Sequence, residues 1–231
     1  MLIGGLQQLT LIDYPGKLAA TVFLAGCNFR CPWCYSSEIV LPEKIMKQPK
    51  MSEREFFKFL KSKKGLLEGI VVCGGEPLLN SDLPKFAKKI KKLGLAVKID
   101  TNGSFPETLK RLVNEGLVDY VAMDIKAPKG KYSLLTGKKL NIGNIERSIE
   151  FLKENKVNYE FRTTVVPELL DKKDVVEIAR WISGAKKYYL QNFRPEKNLD
   201  SKFATIKPYT DKYLLGIQKT IAPLFEICQI R

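Results

Sequence analysis

Apolar and polar positions alternate along this chain on two periods. Short apolar, partly β-branched runs recur at 20–25 (ATVFLA), 69–73 (GIVVC), 95–99 (LAVKI), 119–123 (DYVAM), 157–166 (VNYEFRTTVV) and 187–193 (KYYLQNF), each of strand length. The stretches between them carry apolar residues at helical spacing. Ser52-x-x-Glu55 forms a capping box ahead of Phe56, Phe59 and Leu60. Leu83, Phe86, Ala87, Ile90 and Leu93 make a stripe that stops at Gly94, and Leu109, Leu112 and Val113 stop at Gly116 in the same way. Ile142, Ile145, Ile149 and Leu152 form another stripe, as do Val175, Ile178, Ala179 and Ile182 before Gly184. Strands alternating with amphipathic helices predict an α/β fold with a parallel sheet. Six such units are too few for a closed eight-stranded barrel. The expected architecture is a partial (β/α)6 barrel, curved and open along one flank. No repeat, low-complexity segment or linker interrupts the pattern, so 1–231 reads as one core domain. Within it, 1–19 lead in, 20–195 form the barrel, and 196–231 form a C-terminal extension packing on it.

Polar and glycine residues gather just after each run. The first leads into a cysteine loop, the second into Gly74-Gly75-Glu76-Pro77, and the third into Asp100-Thr101-Asn102-Gly103-Ser104. The fourth leads into Asp124-Ile125-Lys126, the fifth carries Arg162, and the sixth bears Gln191, Asn192 and Arg194. In (β/α) barrels the carboxyl ends of the strands build the active site, so one end of this sheet is the candidate site.

Composition adds limits. At 231 residues with 45% hydrophobic residues the chain can bury a real core. Net charge is +14, which favours an acidic partner, nucleic acid or simple solubility. The lysines lie along helix faces (KFAKKIKKLG, FFKFLKSKKG) rather than around stacked aromatics, which reads as a solvated surface and not a nucleic-acid groove. Abundant Lys and Glu without His would also suit a heat-adapted source. The first residues lack a basic, then apolar targeting pattern and no run approaches a membrane span. The expectation is a soluble, cytoplasmic protein.

Three of the five cysteines crowd into Gly26-Cys27-Asn28-Phe29-Arg30-Cys31-Pro32-Trp33-Cys34-Tyr35. A structural zinc site needs four ligands from Cys and His, but the chain has no His, and Cys73 and Cys228 stand alone. An odd cysteine cluster is also a poor disulfide framework. Iron–sulfur chemistry remains, alongside the bland reading of three reduced thiols in a loop. Four thiolates normally hold a [4Fe–4S] cube, so three leave one iron open.

The pattern C-x-x-x-C-x-aromatic-C, with Trp33 as the aromatic, resembles the signature of radical S-adenosylmethionine (SAM) enzymes. The resemblance implies a [4Fe–4S] cluster on Cys27, Cys31 and Cys34 whose open iron is chelated by SAM. An electron from the cluster would then cleave SAM to methionine and a hydrogen-abstracting 5′-deoxyadenosyl radical. It puts Trp33, with Tyr35 beside it, among the cofactor contacts. Gly74, Gly75 and Glu76 resemble the family segment whose backbone receives the SAM amino group, although a strand–turn–helix joint reads equally well. Asp100, Thr101, Asn102 and Gly103 are similar to a segment lining the SAM ribose and methionine in activators of glycyl radical enzymes; Asn-Gly is also ordinary turn chemistry. Asp124 and Lys126 resemble that branch's strand end beside the reaction chamber, and read equally as a buried ion pair. Arg162 alternates with apolar neighbours, should point into the barrel, and needs an anionic partner, which the resemblance makes the SAM carboxylate. Gln191, Asn192 and Arg194 stand where relatives place polar residues near the adenine or ribose.

No cysteine lies between Cys34 and Cys73, so no insert with its own cluster fits. The chain thus looks like the compact activators of anaerobic ribonucleoside-triphosphate reductase and pyruvate formate-lyase. That implies a glycyl radical enzyme as protein substrate and an external electron donor such as ferredoxin or flavodoxin, with no nucleic acid or membrane partner. The alternatives are a radical SAM enzyme acting on a small molecule, similar to the deazapurine ring-contracting synthase, and a non-catalytic iron–sulfur carrier.

Overall fold

A computed structural model describes residues 1–231. Its centre is one eight-stranded sheet in sequence order, β1 Ile3–Thr10, β2 Ala19–Leu24, β3 Gly69–Gly74, β4 Ala96–Thr101, β5 Tyr120–Asp124, β6 Asn158–Val165, β7 Lys187–Asn192 and β8 Ile227–Ile230. β1 runs antiparallel to β2, and every later pair is parallel. β1 and β8 do not pair with each other. The result is a partial barrel with an open flank between those two edges.

Long helices connect the parallel strands: α1 Glu53–Ser62, α2 Leu83–Lys91, α3 Pro106–Asn114, α4 Ile142–Lys153, α5 Lys172–Trp181 and α6 Asp211–Ile221. The Ser52–Glu55 capping box ahead of α1 is present in both directions. It satisfies donors that the first helical turn would otherwise leave open. A second box, Asp171–Asp174, starts α5. The apolar stripes face the sheet. Phe56 of α1 stacks on Phe86 of α2 at 5.1 Å, and both are buried. Truncating either to Ala costs about 3–5 kcal/mol by the usual yield of buried aromatics. No helix is long and apolar enough to cross a membrane.

The alternation of strand residues sorts the sheet into two unlike faces. Val22, Leu24, Ile70, Val72, Val97, Ile99, Val121, Phe161 and Leu190 pack outward into the core shared with the helices. Cys73, Lys98, Asp100, Asp124 and Arg162 point inward and line a central cavity. Tyr14, Ala19, Val71 and Tyr120 form a small separate apolar cluster. The six strands expected from sequence are all present, and two more extend the sheet beyond 20–195. β1 carries Gly4-Gly5 and exposes Gln7, Gln8 and Leu9, and β8 is a four-residue, half-exposed edge. Neither gives the apolar run that betrays a central strand.

Candidate active site

The carboxyl ends of the strands surround a cavity of about 870 Å³. Cys27, Cys31 and Cys34, from the loop after β2, line it together with Trp33 and Tyr35. The loop owes its shape to local polar chemistry. Arg30 Nη1 donates to the carbonyls of Cys27 and Phe29, both at 2.7 Å. The Phe29 N–H donates to the Cys27 sulfur at 3.4 Å. Asn28 joins the loop to the end of β4: its Oδ1 accepts from Asn102 Nδ2 and its Nδ2 donates to Ser104 Oγ, each at 2.9 Å.

From the far side the segment after β7 clamps the loop. The Arg194 N–H donates to the Tyr35 hydroxyl at 2.8 Å, Asn198 Nδ2 to the Trp33 carbonyl at 3.0 Å, and the Asp200 N–H to the Pro32 carbonyl at 2.9 Å. Trp33 is both a core residue and part of the cavity wall.

The glycines at the end of β3 serve a purpose the sequence did not suggest. A Cβ on Gly75 would stand 1.9 Å from the Gly26 carbonyl oxygen, and one on Gly74 would meet Leu24 backbone at 2.5 Å. The two strand ends meet backbone to backbone, with the Glu76 N–H donating to the Gly26 carbonyl at 2.8 Å. Gly74 and Gly75 also line the cavity, whereas Glu76 does not. Its fully buried carboxylate accepts from the Leu78 N–H at 3.0 Å, Thr101 Oγ1 at 2.7 Å and the Asn102 N–H at 2.7 Å. Burial pushes this carboxyl up to about 7, against the opposing pull of those three donors. The Glu76 side chain thus ties the β3 and β4 ends together.

Gly103 likewise lies outside the cavity lining, with φ +75° and the Met123 Cε 2.0 Å from where a Cβ would stand. Packing against Met123 and the positive φ both demand a glycine there.

Thr101 and Asn102 line the cavity along with Asp100. A ladder of alternating charge crosses the inner face. Lys98 is paired with Asp100, and Arg162 Nη1 donates to Asp100 Oδ2 at 2.9 Å. Arg162 Nε donates to Asp124 Oδ1 and Lys126 Nζ to Asp124 Oδ2, both at 2.8 Å. Burial alone would raise the Asp124 carboxyl, but the Arg162 guanidinium and the Lys126 ammonium override it and hold it well below the usual carboxylate range. Arg162 points into the barrel, where its guanidinium pairs with Asp100 and Asp124. Nη2 has no protein partner.

The cysteine donor set fits an iron–sulfur cube. The three thiols share one cavity without converging on a single-ion position, and one sulfur already takes an N–H hydrogen bond, a contact that tunes cluster sulfurs. Burial pushes the Cys27 thiol up to about 11 and the Cys31 thiol up to about 12, so cluster assembly must release their protons. A fit to SAM rests on Asn192, which lines the cavity and donates Nδ2 to the Tyr209 carbonyl at 2.8 Å while its buried Oδ1 has no partner. Arg194 lines the same wall. Sequence reasoning passed over Asn28, Ser104 and Cys73, the last also in the cavity lining; a carboxamide inside the cysteine motif was the one legible signal.

Comparison with known proteins gives the family. The family model described as the Radical SAM superfamily matches residues 21–182. A candidate glycyl-radical enzyme activating enzyme of Methanocaldococcus jannaschii is 36% identical over 211 residues, covering 87% of this chain and 84% of that protein. A 7-carboxy-7-deazaguanine synthase of Hyperthermus butylicus is 26% identical over 215 residues, covering 80% of this chain and 85% of that protein. The crystal structure of QueE from Escherichia coli superposes with a TM-score of 0.59 at 17% identity, covering 100% of this chain and 94% of that one. With its three cavity-lining thiols at the strand ends of a partial barrel, this chain belongs to the radical SAM superfamily and is an enzyme of that superfamily, whose members carry a [4Fe–4S] cluster and use SAM.

Proposed function

We propose that this radical SAM enzyme installs a glycyl radical on a partner protein by removing a hydrogen atom from a backbone glycine. One observation carries the reading. The cavity lined by the cysteine loop is also lined by Ile12, Asp13 and Pro15, which follow the edge strand β1, and by Arg231, which follows the edge strand β8; these two edges do not pair, which would give a polypeptide segment a lateral way in. The 36% identity to a candidate activating enzyme supports it. When bound, the cluster and SAM supply the electron and the hydrogen-abstracting group.

The chain's own residues bind, orient and exclude water. Cys27, Cys31 and Cys34 would hold the cluster, with the Phe29 N–H drawing charge from one sulfur. On the cavity wall, Arg162 Nη2 is a donor and Asn192 Oδ1 an acceptor without a protein partner, which the polar groups of SAM would satisfy. Asp100 and Asp124 fix the guanidinium so that Nη2 has one direction. Asn28 and Glu76 tie the β2, β3 and β4 ends into one unit, and Trp33 keeps an apolar wall beside the cluster ligands. An external donor, ferredoxin or flavodoxin, would supply the electron. The +14 charge would speed encounter with an acidic partner.

A second reading, a small-molecule radical SAM enzyme, draws on the 26% identity to a deazaguanine synthase. Anaerobic mixing of the reduced protein, SAM and candidate glycyl radical enzymes separates the two. A persistent glycyl doublet in the electron paramagnetic resonance spectrum supports the proposal, and turnover of a metabolite with no doublet from any protein overturns it.

A further inference from the structure

Arg231 follows β8 at the opposite post of the open flank and lines the cavity there. It is unusually well fixed for a residue at an opening. Its N–H donates to the Leu190 carbonyl at 2.8 Å. Nη1 and Nη2 donate to the two oxygens of Glu160 at 2.8 and 3.1 Å. The guanidinium carbon lies 3.4 Å above the centroid of the Tyr189 ring. Glu160 is fully buried and also accepts from the Tyr120 hydroxyl at 2.8 Å. Ion pairing and stacking together hold the plane of the guanidinium in one orientation.

Charge compensation of Glu160 would require only a buried cation, yet 38% of the Arg231 side chain is open. A guanidinium has five N–H donors and the bidentate pair uses two, so three remain. Their environment also selects the acceptor. The Arg231–Glu160 pair is electrically balanced, so an incoming anion would lose its hydration without a net opposing charge, whereas a neutral peptide carbonyl loses far less.

Building on the activating-enzyme reading, we infer that Arg231 is a specificity-determining residue that anchors main-chain carbonyl oxygens of the polypeptide segment entering through the flank. Glu160 and Tyr189 act as its positioning residues. None of the sequence motifs or ligand-binding segments described above includes these three positions.

The test uses the full-length reconstituted protein and the glycyl radical enzyme that gives a glycyl doublet with wild type. Arg231→Gln alone would strand a buried carboxylate, so the informative variant is Arg231→Gln combined with Glu160→Gln, which removes both charges and leaves a partner for the Tyr120 hydroxyl. The double variant should raise the KM for the partner protein about ten- to a hundredfold, the loss of a charged hydrogen bond, with the SAM-induced change in the cluster spectrum retained. Glu160→Gln alone keeps the guanidinium but loosens its orientation, so its partner KM should lie between wild type and the double variant; a value equal to wild type would remove Glu160 as a positioning residue. An unchanged partner KM in the folded double variant overturns the inference while the activating reading stands. Absence of any glycyl doublet with wild type overturns both, and that failure is seen before any variant is made.

Discussion

Arg162→Ala removes the one side chain that bridges Asp100 and Asp124. The wild-type ladder has three cations, Lys98, Arg162 and Lys126, around two carboxylates. After substitution each carboxylate keeps a single lysine. Breaking a buried ion pair by removing one partner costs about 3–5 kcal/mol. Here the carboxylates are 19% and 26% exposed and retain Lys98 and Lys126, so about 2–4 kcal/mol is expected at pH 7. For a chain of this length that lowers Tm by roughly 5–15 °C.

The effect has a definite pH signature. Asp124 is held below its ordinary value, so its stabilisation is fully present above the ordinary carboxylate pKa and fades as pH falls towards the depressed one. Urea unfolding of the reduced apo protein should show the gap between wild type and variant narrowing by about 1 kcal/mol between pH 7 and pH 3. A gap below about 0.5 kcal/mol at pH 7, the yield of an exposed pair, would refute the reasoning, as would a gap that does not change with pH.

Replacing any one of Cys27, Cys31 or Cys34 by Ala should abolish the charge-transfer absorption of the reconstituted protein, while Cys73→Ala and Cys228→Ala should keep it; loss of the cluster in Cys73→Ala would change the ligand set. Gly75→Ala forces a Cβ to 1.9 Å from the Gly26 carbonyl oxygen, so it should cost about 1–3 kcal/mol and reduce bound iron by displacing the cysteine loop, and normal stability with full iron content would contradict the backbone contact. The Glu76 carboxyl, pushed up to about 7 by burial, takes up its proton more readily in the folded protein than in the unfolded chain. Stability should therefore fall as pH rises from about 4.5 to 7 and level off above that; Glu76→Gln should flatten this slope, and parallel profiles for the two proteins would rule it out.

What the sequence made legible follows from where apolar burial is strongest. Val22, Ile70, Val97, Val121 and Phe161 belong to central strands buried on the helix-facing side, and their runs announce themselves. β1 and β8 are edges, half exposed, with Gly4-Gly5 in one and four residues in the other, so they merge with loop sequence. The site was readable where chemistry is local, as in the spacing of Cys27, Cys31 and Cys34. It was unreadable where distant segments meet. Asn28 finds Asn102 and Ser104 more than seventy residues away, and Glu160 finds Arg231 across 71 positions. An acidic residue after a Gly-Gly turn likewise does not reveal that its carboxylate will be met by Thr101 Oγ1 and the Asn102 N–H.

Isotope transfer tests the central claim most directly. The partner protein is prepared with its glycines deuterated at the α-carbon and incubated anaerobically with reduced enzyme and unlabelled SAM, and the 5′-deoxyadenosine formed is analysed by mass spectrometry. The account predicts one deuterium in that product, appearing in step with the glycyl radical on the partner. Deuterium-free 5′-deoxyadenosine from every glycyl radical enzyme tried, with label arriving only from a supplied deuterated metabolite, would contradict it.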